Sequence, residues 1–122
     1  MSDTTESIVR AQFEAYRDRR RADSEALLAA DFTFTSPYDD AIGRDAFFER
    51  CWPPGDHFAD FRIERVAPDA EGAYVTYLVT TDSGDQFRNT EYLAVRDGQI
   101  GSAHVFFGES YRGGSFLPRQ PE

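Results

Sequence analysis

QFRNTEYLAVRDGQIGSAHVFFG, Gln86 to Gly108, holds the strongest local signal in the chain. Two runs rich in β-branched and aromatic residues flank Asp97-Gly98, a dipeptide that accepts the positive φ angles of a two-residue hairpin turn. Side chains along a strand alternate between its two faces. Phe87, Asn89, Glu91, Leu93 and Val95 therefore share one face of the first arm, and Arg88, Thr90, Tyr92, Ala94 and Arg96 share the other. Asn89 and Glu91 fall among apolar neighbours, so either the register is misread or this face lines a functional pocket. On the second arm Ala103, Val105 and Phe107 form the smoother apolar face, with Ser102, His104 and Phe106 opposite.

Upstream of this hairpin the pattern is helical. Val9, Phe13 and Tyr16 follow helical spacing within an expected helix from Asp3 to about Arg21, with Asp3 and Glu6 as a capping pair and Arg19 to Arg21 at its C-terminal end. A short helix is expected over Asp23 to Ala30, capped by Asp23 or Ser24, and then a strand over Phe32 to Ser36, with Phe32, Phe34 and Ser36 on one face. Ser36-Pro37-Tyr38-Asp39-Asp40 reads as a loop that serves either as a surface turn or as part of a site. A third helix, Arg44 to Trp52, stacks Phe47, Phe48, Cys51 and Trp52 on one side, as core or as a pocket wall, and Pro53-Pro54 stops it. Strands are expected from Phe58 to about Pro68 and from Ala73 to Thr81, with Asp82-Ser83-Gly84-Asp85 turning into the opening hairpin. Glu109 to Glu122 has little periodicity and reads as a tail. Three helices and four long antiparallel strands make an α+β fold, with the helices over the concave face of a curved sheet. One domain over 1-110 and a C-terminal tail over 111-122 are expected.

Composition narrows the function classes. The chain has 122 residues and a net charge of −9, so its surface as a whole repels phosphate backbones, and no nucleic-acid partner is expected. Eleven Phe, six Tyr and one Trp can fill a core or line a cavity for apolar ligands. The single cysteine excludes an internal disulfide and fits a cytoplasmic location, with a structural thiol expected at Cys51. No stretch approaches the length of a membrane span, and no signal segment is visible. No spacing of His, Cys and carboxylates suggests a metal, and no cofactor is expected.

The segments FTFTSPYDD, AFFERCW, FRNTEYLAVRDGQI and HVFFG resemble the SnoaL-like branch of the nuclear transport factor 2-like (NTF2-like) superfamily, and the order of elements is similar to its cone-shaped fold. The resemblance runs from Ser7 to about Gly108. It implies a cavity and, in ketosteroid isomerases of this fold, a general-base Asp before a Pro at the end of the first strand. Here that position is Ser36, whose hydroxyl is far too weak an acid to serve as a base unaided. A protonated carboxyl on the second-to-last strand matches Glu91, and an oxyanion tyrosine on the first helix matches Tyr16. Asp39 or Asp40 would have to replace the missing base. Polyketide cyclases of this fold work with one acid–base carboxylate in an apolar cavity, a role open to Glu91.

The expected catalytic set is therefore Glu91, Asp39, Asp40 and Tyr16. Asn89, Tyr38, Trp52, Phe34, Phe48 and Phe107 are expected to hold a small apolar ligand. The expected function is small-molecule binding with isomerase- or cyclase-like proton transfer. The alternative is a non-catalytic binding or dimerisation domain in which Asn89 and Glu91 form a structural pair with Tyr16 or Arg44. A homodimer is expected through the outer sheet face, which carries Tyr92, His104 and Phe106. His104 points away from the cavity in this register, and His57 is expected in a loop near its mouth.

Overall fold

The structure, a computed structural model, describes residues 4–52 and 58–117. Among them, helix α1 (Thr5–Arg17) opens on Thr4, whose hydroxyl accepts the Ser7 amide at 3.1 Å. Thr4 is thus the cap, and Asp3, the expected one, lies outside the described residues. Val9 and Phe13 are buried as the spacing predicts, with Tyr16 packed at the edge of the core. The helix ends earlier than expected because Arg19 turns left-handed, at φ 56°, and the Arg20 amide closes back on the Ala15 carbonyl. Arg19 to Arg21 therefore form a corner instead of a helix end. Helix α2 (Arg21–Leu27) starts at once, with Arg20 at its cap and no side-chain capping bond, so neither Asp23 nor Ser24 caps it. Leu28 to Ala30, expected in helix, already belong to strand β1 (Leu28–Ser36).

The segment after β1 is more ordered than its composition suggested. Strand β2 (Asp39–Gly43) folds back on β1, with Ser36 opposite Asp39 and Phe34 opposite Ile42. Ala41 sits at φ 50°, so the side chains of this strand do not alternate regularly and the sequence signal was lost. Helix α3 (Arg44–Arg50) buries Phe47 and Phe48. Strands β3 (Phe58–Pro68), β4 (Gly72–Thr81), β5 (Gln86–Arg96) and β6 (Gln99–Arg112) follow as a meander, and β7 (Ser115–Leu117) pairs back on β6. Part of the stretch read as tail is therefore strand. Gly113 and Gly114, both at positive φ, make a second two-residue turn that pairs Arg112 with Ser115.

The described residues form one curved, open sheet of seven strands in the order β2-β1-β6-β5-β4-β3, with β7 beside β6. The pairing is antiparallel except for β1, which lies parallel to β6, so the sheet is mixed and not purely antiparallel. Asp97 at φ 55° and Gly98 at φ 78° form the expected tight turn, pairing Arg96 with Gln99. The three helices and the concave sheet face enclose a core built around Val9, Phe32, Val75, Leu93 and Ile100. The architecture is the cone-shaped α+β fold. No helix among the described residues is long and apolar enough to cross a membrane.

The β3–β4 turn makes one position intolerant of any side chain. Asp69 accepts the amides of Glu71 and Gly72, and this brings Gly72 so close to β5 that a Cβ would run into the Leu93 carbonyl oxygen. The atoms it would meet are all backbone of β5, at Leu93 and Ala94, so no flexible side chain can give way. Gly72→Ala should cost about 2 kcal/mol or more, whereas Gly43→Ala, at an ordinary φ of −76° in open space, should stay within about 0.5 kcal/mol. Urea denaturation of both variants measures the contrast.

Candidate functional site

Alternation along β5 puts Asn89 and Glu91 on the concave side, both more than nine-tenths buried, next to fully buried Leu93. Antiparallel pairing sets Tyr77 of β4 directly opposite Asn89, and Val75 opposite Glu91. The Tyr77 hydroxyl donates to Glu91 Oε1 at 3.2 Å and receives the Asn89 amide at 3.4 Å. Asn89 in turn accepts the Gly108 backbone N–H at 3.4 Å. This fixes the direction of each bond: backbone to Asn89, Asn89 to Tyr77, Tyr77 to Glu91.

The polar chain borders a cavity of about 260 Å³. Aromatic rings supply most of its wall. Phe61 and Tyr77 stack at 4.9 Å, Phe13 lies 5.3 Å from Tyr77, and Tyr38 lies 5.4 Å from Phe107 at the open side. Phe34 and Val105 line it from β1 and β6. Tyr16 lines it from α1 while donating to the Cys51 carbonyl at 2.9 Å, which ties α1 to the end of α3.

Electrostatics follow from this greasy setting. Burial pushes the Glu91 carboxyl up from 4.5 to about 7, against the opposing pull of the Tyr77 hydrogen bond. Burial raises both phenols too, and the nearby Glu91 charge raises them further, so Tyr16 and Tyr77 stay protonated donors. The Cys51 thiol is pushed up to about 11 by burial first and by Asp39 next, which makes it inert as a nucleophile at neutral pH.

Asp39 reaches the cavity, but it is engaged. Its Oδ2 accepts the Ser36 hydroxyl at 3.1 Å, and Arg50 Nη2 stands 2.7 Å from Oδ1 as an ion pair without the direction of a hydrogen bond. Ser36 also accepts the Tyr38 amide, so it is a turn residue. Asp40 is exposed and does not line the cavity.

Two of the expected ligand contacts are not brought there. Phe48 is buried against Phe47 and Trp52, with the guanidinium groups of Arg21 and Arg44 over its ring. Trp52 packs edge-on to Tyr16 at 5.4 Å, behind the cavity wall. Arg44 donates to the Glu25 carbonyl and does not meet Glu91. His104 stacks on Phe106 on the outer face, and His57 lies outside the described residues.

Tyr77 lines the candidate site but is not in the expected set. The alternation places it on the correct face of β4, but a turn confined to Asp82–Asp85 would set it opposite Thr90; the connection also takes in Thr81, so Thr80 pairs with Gln86 and Tyr77 with Asn89. Among the described residues no group of three or more His, Cys, Asp and Glu is placed to hold a metal ion.

A model of the SnoaL-like domain family matches residues 9–102 of the chain. Several solved structures share the fold. A candidate ketosteroid isomerase from Kribbella flavida is 24% identical, with a TM-score of 0.76, over 97% of this chain and 90% of that one. An NTF2-like protein of unknown function from Cytophaga hutchinsonii is 17% identical, with a TM-score of 0.74, over 88% and 93%. A candidate SnoaL-like polyketide cyclase from Jannaschia is 14% identical, with a TM-score of 0.70, over 84% of each. At these identities the likeness concerns the fold alone. No curated protein matches the chain significantly.

The buried carboxyl couples stability to pH. Its folded pKa lies above the unfolded value, so the folded state binds the extra proton. The contribution is complete below about pH 4.5 and is lost as pH rises through about 7. Glu91→Gln keeps the neutral shape throughout. Its stability relative to wild type should rise between these limits by up to about 3 kcal/mol. Urea denaturation at about pH 4.5 and about pH 8 reads the difference.

Proposed function

This chain belongs to the SnoaL-like domain family, and from that premise we propose that it binds a small apolar molecule in the aromatic cavity, with Glu91 exchanging a proton with what it holds. The observation that carries this reading is the setting of Glu91. A carboxyl titrating at about 7 can both give and take a proton at neutral pH. Tyr77 orients it, and the rings of Phe13, Phe61 and Tyr16 would grip an apolar body. In catalytic form this is the acid–base step of an isomerase or polyketide cyclase, run on one carboxylate without a cofactor. Asp39 is placed to contribute only if the ligand displaces Arg50 or Ser36 from it.

The rival reading treats Asn89 and Glu91 as a structural pair. Such a pair needs a cation to keep Glu91 ionised, and no charge partner accompanies burial and Tyr77 among the causes of its shift. That favours a site over a strut.

The proposal includes a homodimer in the cytoplasm, formed through the outer sheet face. Tyr74 and Phe106 are each 48% exposed there, with Tyr92 4.6 Å from Tyr74 and His104 stacked on Phe106. Such a run of rings at the middle of a sheet face suits burial against a second copy.

Two experiments test these claims. Binding of hydrophobic ring compounds, followed by tyrosine and tryptophan fluorescence, should change with pH around a midpoint near 7 in wild type and be flat in Glu91→Gln. Binding that ignores pH in both proteins counts against the role of Glu91. Sedimentation velocity of Phe106→Glu should show a monomer where wild type sediments as a dimer, and a monomeric wild type ends the dimer claim.

A further inference from the structure

We propose that the molecule held in this cavity is a hydrophobic amine, bound as its ammonium with the nitrogen against Glu91 and the apolar body among the rings. The proposal rests on the reading of the cavity as a ligand site, and it adds the sign of the ligand's charge.

Four observations carry it. First, Glu91 is more than nine-tenths buried, and only Oε1 is engaged, by Tyr77. Oε2 has no hydrogen-bond partner among the described residues, and Glu91 lines the cavity. Second, the described lining contains no Lys, Arg or His. Arg50, which pairs with the lining residue Asp39, is already held by it and is itself largely exposed. An anionic ligand would meet two carboxylates and no available cation. Third, Phe61 lies within about 6 Å of Phe13, Tyr16 and Tyr77, all four rings line the same cavity as Glu91, and aromatic faces attract a desolvated cation. Fourth, the two phenols here are committed, Tyr16 to the Cys51 carbonyl and Tyr77 to Glu91, and the amide donors of the lining, Gln12 and Asn89, are neutral. What is missing beside Glu91 is a positive donor, which an ammonium supplies.

A buried carboxylate is costly until it is paired. The free protein relieves the cost by protonation, and the ligand relieves it by bringing the counter-ion. Binding of the ammonium then expels the carboxyl proton to solvent. The balance is simple: cationic ligand enters, one proton leaves, and no covalent bond changes.

This fixes the direction of the pH dependence. A neutral ligand that accepts a hydrogen bond from protonated Glu91 binds better below about pH 7, whereas an ammonium binds better above it. The test compares three probes of one shape: naphthylmethylamine, naphthalenemethanol and naphthoate. Calorimetry on the wild-type protein at about pH 8 should show the amine binding at least about ten-fold tighter than the alcohol, with naphthoate weakest. At about pH 7, repeating the amine titration in buffers of different ionisation enthalpy should reveal proton release. Glu91→Gln should erase the advantage of the amine over the alcohol. Equal binding of amine and alcohol, tighter naphthoate, or proton uptake with the amine would overturn the charge assignment and leave the cavity reading intact. If none of the three binds, the cavity reading fails and takes this proposal with it.

Discussion

A two-residue turn leaves a hairpin almost no freedom of register. Asp97 and Gly98 both adopt positive φ, so Arg96 pairs with Gln99 and Val95 with Ile100; a bulge at Gly101 then shifts the register by one, and this sets Leu93 opposite Ala103 and Glu91 opposite Val105. A slip of one residue would turn Leu93 and Glu91 out to solvent and bring Tyr92 and Thr90 in. Burial of Leu93, Ile100 and Ala103 opposes that slip, so the turn and the core enforce the same arrangement. The site is a by-product of this agreement. Once Leu93 is locked inward, Glu91 and Asn89 have to follow it into the concave face.

Keeping a carboxyl there has a definite energetic character. Burial moves its pKa from 4.5 to about 7 despite a hydrogen bond from Tyr77, so desolvation outweighs that bond. The net displacement corresponds to about 3 kcal/mol between the two protonation states. Replacement by leucine would remove this liability outright. The rest of the lining shows how readily an apolar residue is accommodated, since Val79, Val105 and Phe107 point into the same space. A group that costs stability when ionised, held by a directed chain from Gly108 through Asn89 and Tyr77, has the character of a functional residue that the fold tolerates.

The strand half of the fold is legible because long runs of its side chains alternate between bulges, and because its turns carry Gly. From Gly72 to Phe107 the expected faces and the observed burial agree, and Phe34, Tyr38 and Phe107 line the cavity. Legibility failed where local chemistry is ambiguous. The left-handed conformations at Arg19 and Ala41 have no glycine to announce them, so the α1–α2 corner and β2 were misread. Gly113-Gly114 did announce a turn, but the strand before it runs through Gly108-Glu109-Ser110, which lacks an apolar rhythm. Trp52 and Phe48 were nominated because an aromatic stripe on a helix looks the same whether it faces a cavity or packs behind its wall. Deciding between those requires the rotation of α3 against the sheet, which spacing alone does not contain. Asp40 was nominated by proximity in sequence, and the Pro37–Tyr38 turn sends it outward while its neighbour Asp39 turns in.

Ser36 shows how the chemistry of the site has been redistributed. Where the resemblance places a base, a hydroxyl donates to Asp39 and accepts the Tyr38 amide, so it shapes the turn and leaves no lone carboxylate at the end of β1. Asp39 also lines the cavity, with its side chain only 9% exposed, and it is paired with the guanidinium of Arg50. Two carboxylates in one small cavity would repel, and one would be forced to stay protonated. The Arg50 ion pair offsets the charge of Asp39 and leaves Glu91 as the lining carboxyl with no cationic partner among the described residues. An entering molecule first passes Tyr38 and Phe107, then meets stacked rings, and reaches Glu91 where water is scarce and an unmet charge is felt most strongly. Selectivity in such a site resides in how a ligand answers that one carboxyl, because aromatic walls accept apolar bodies of many shapes.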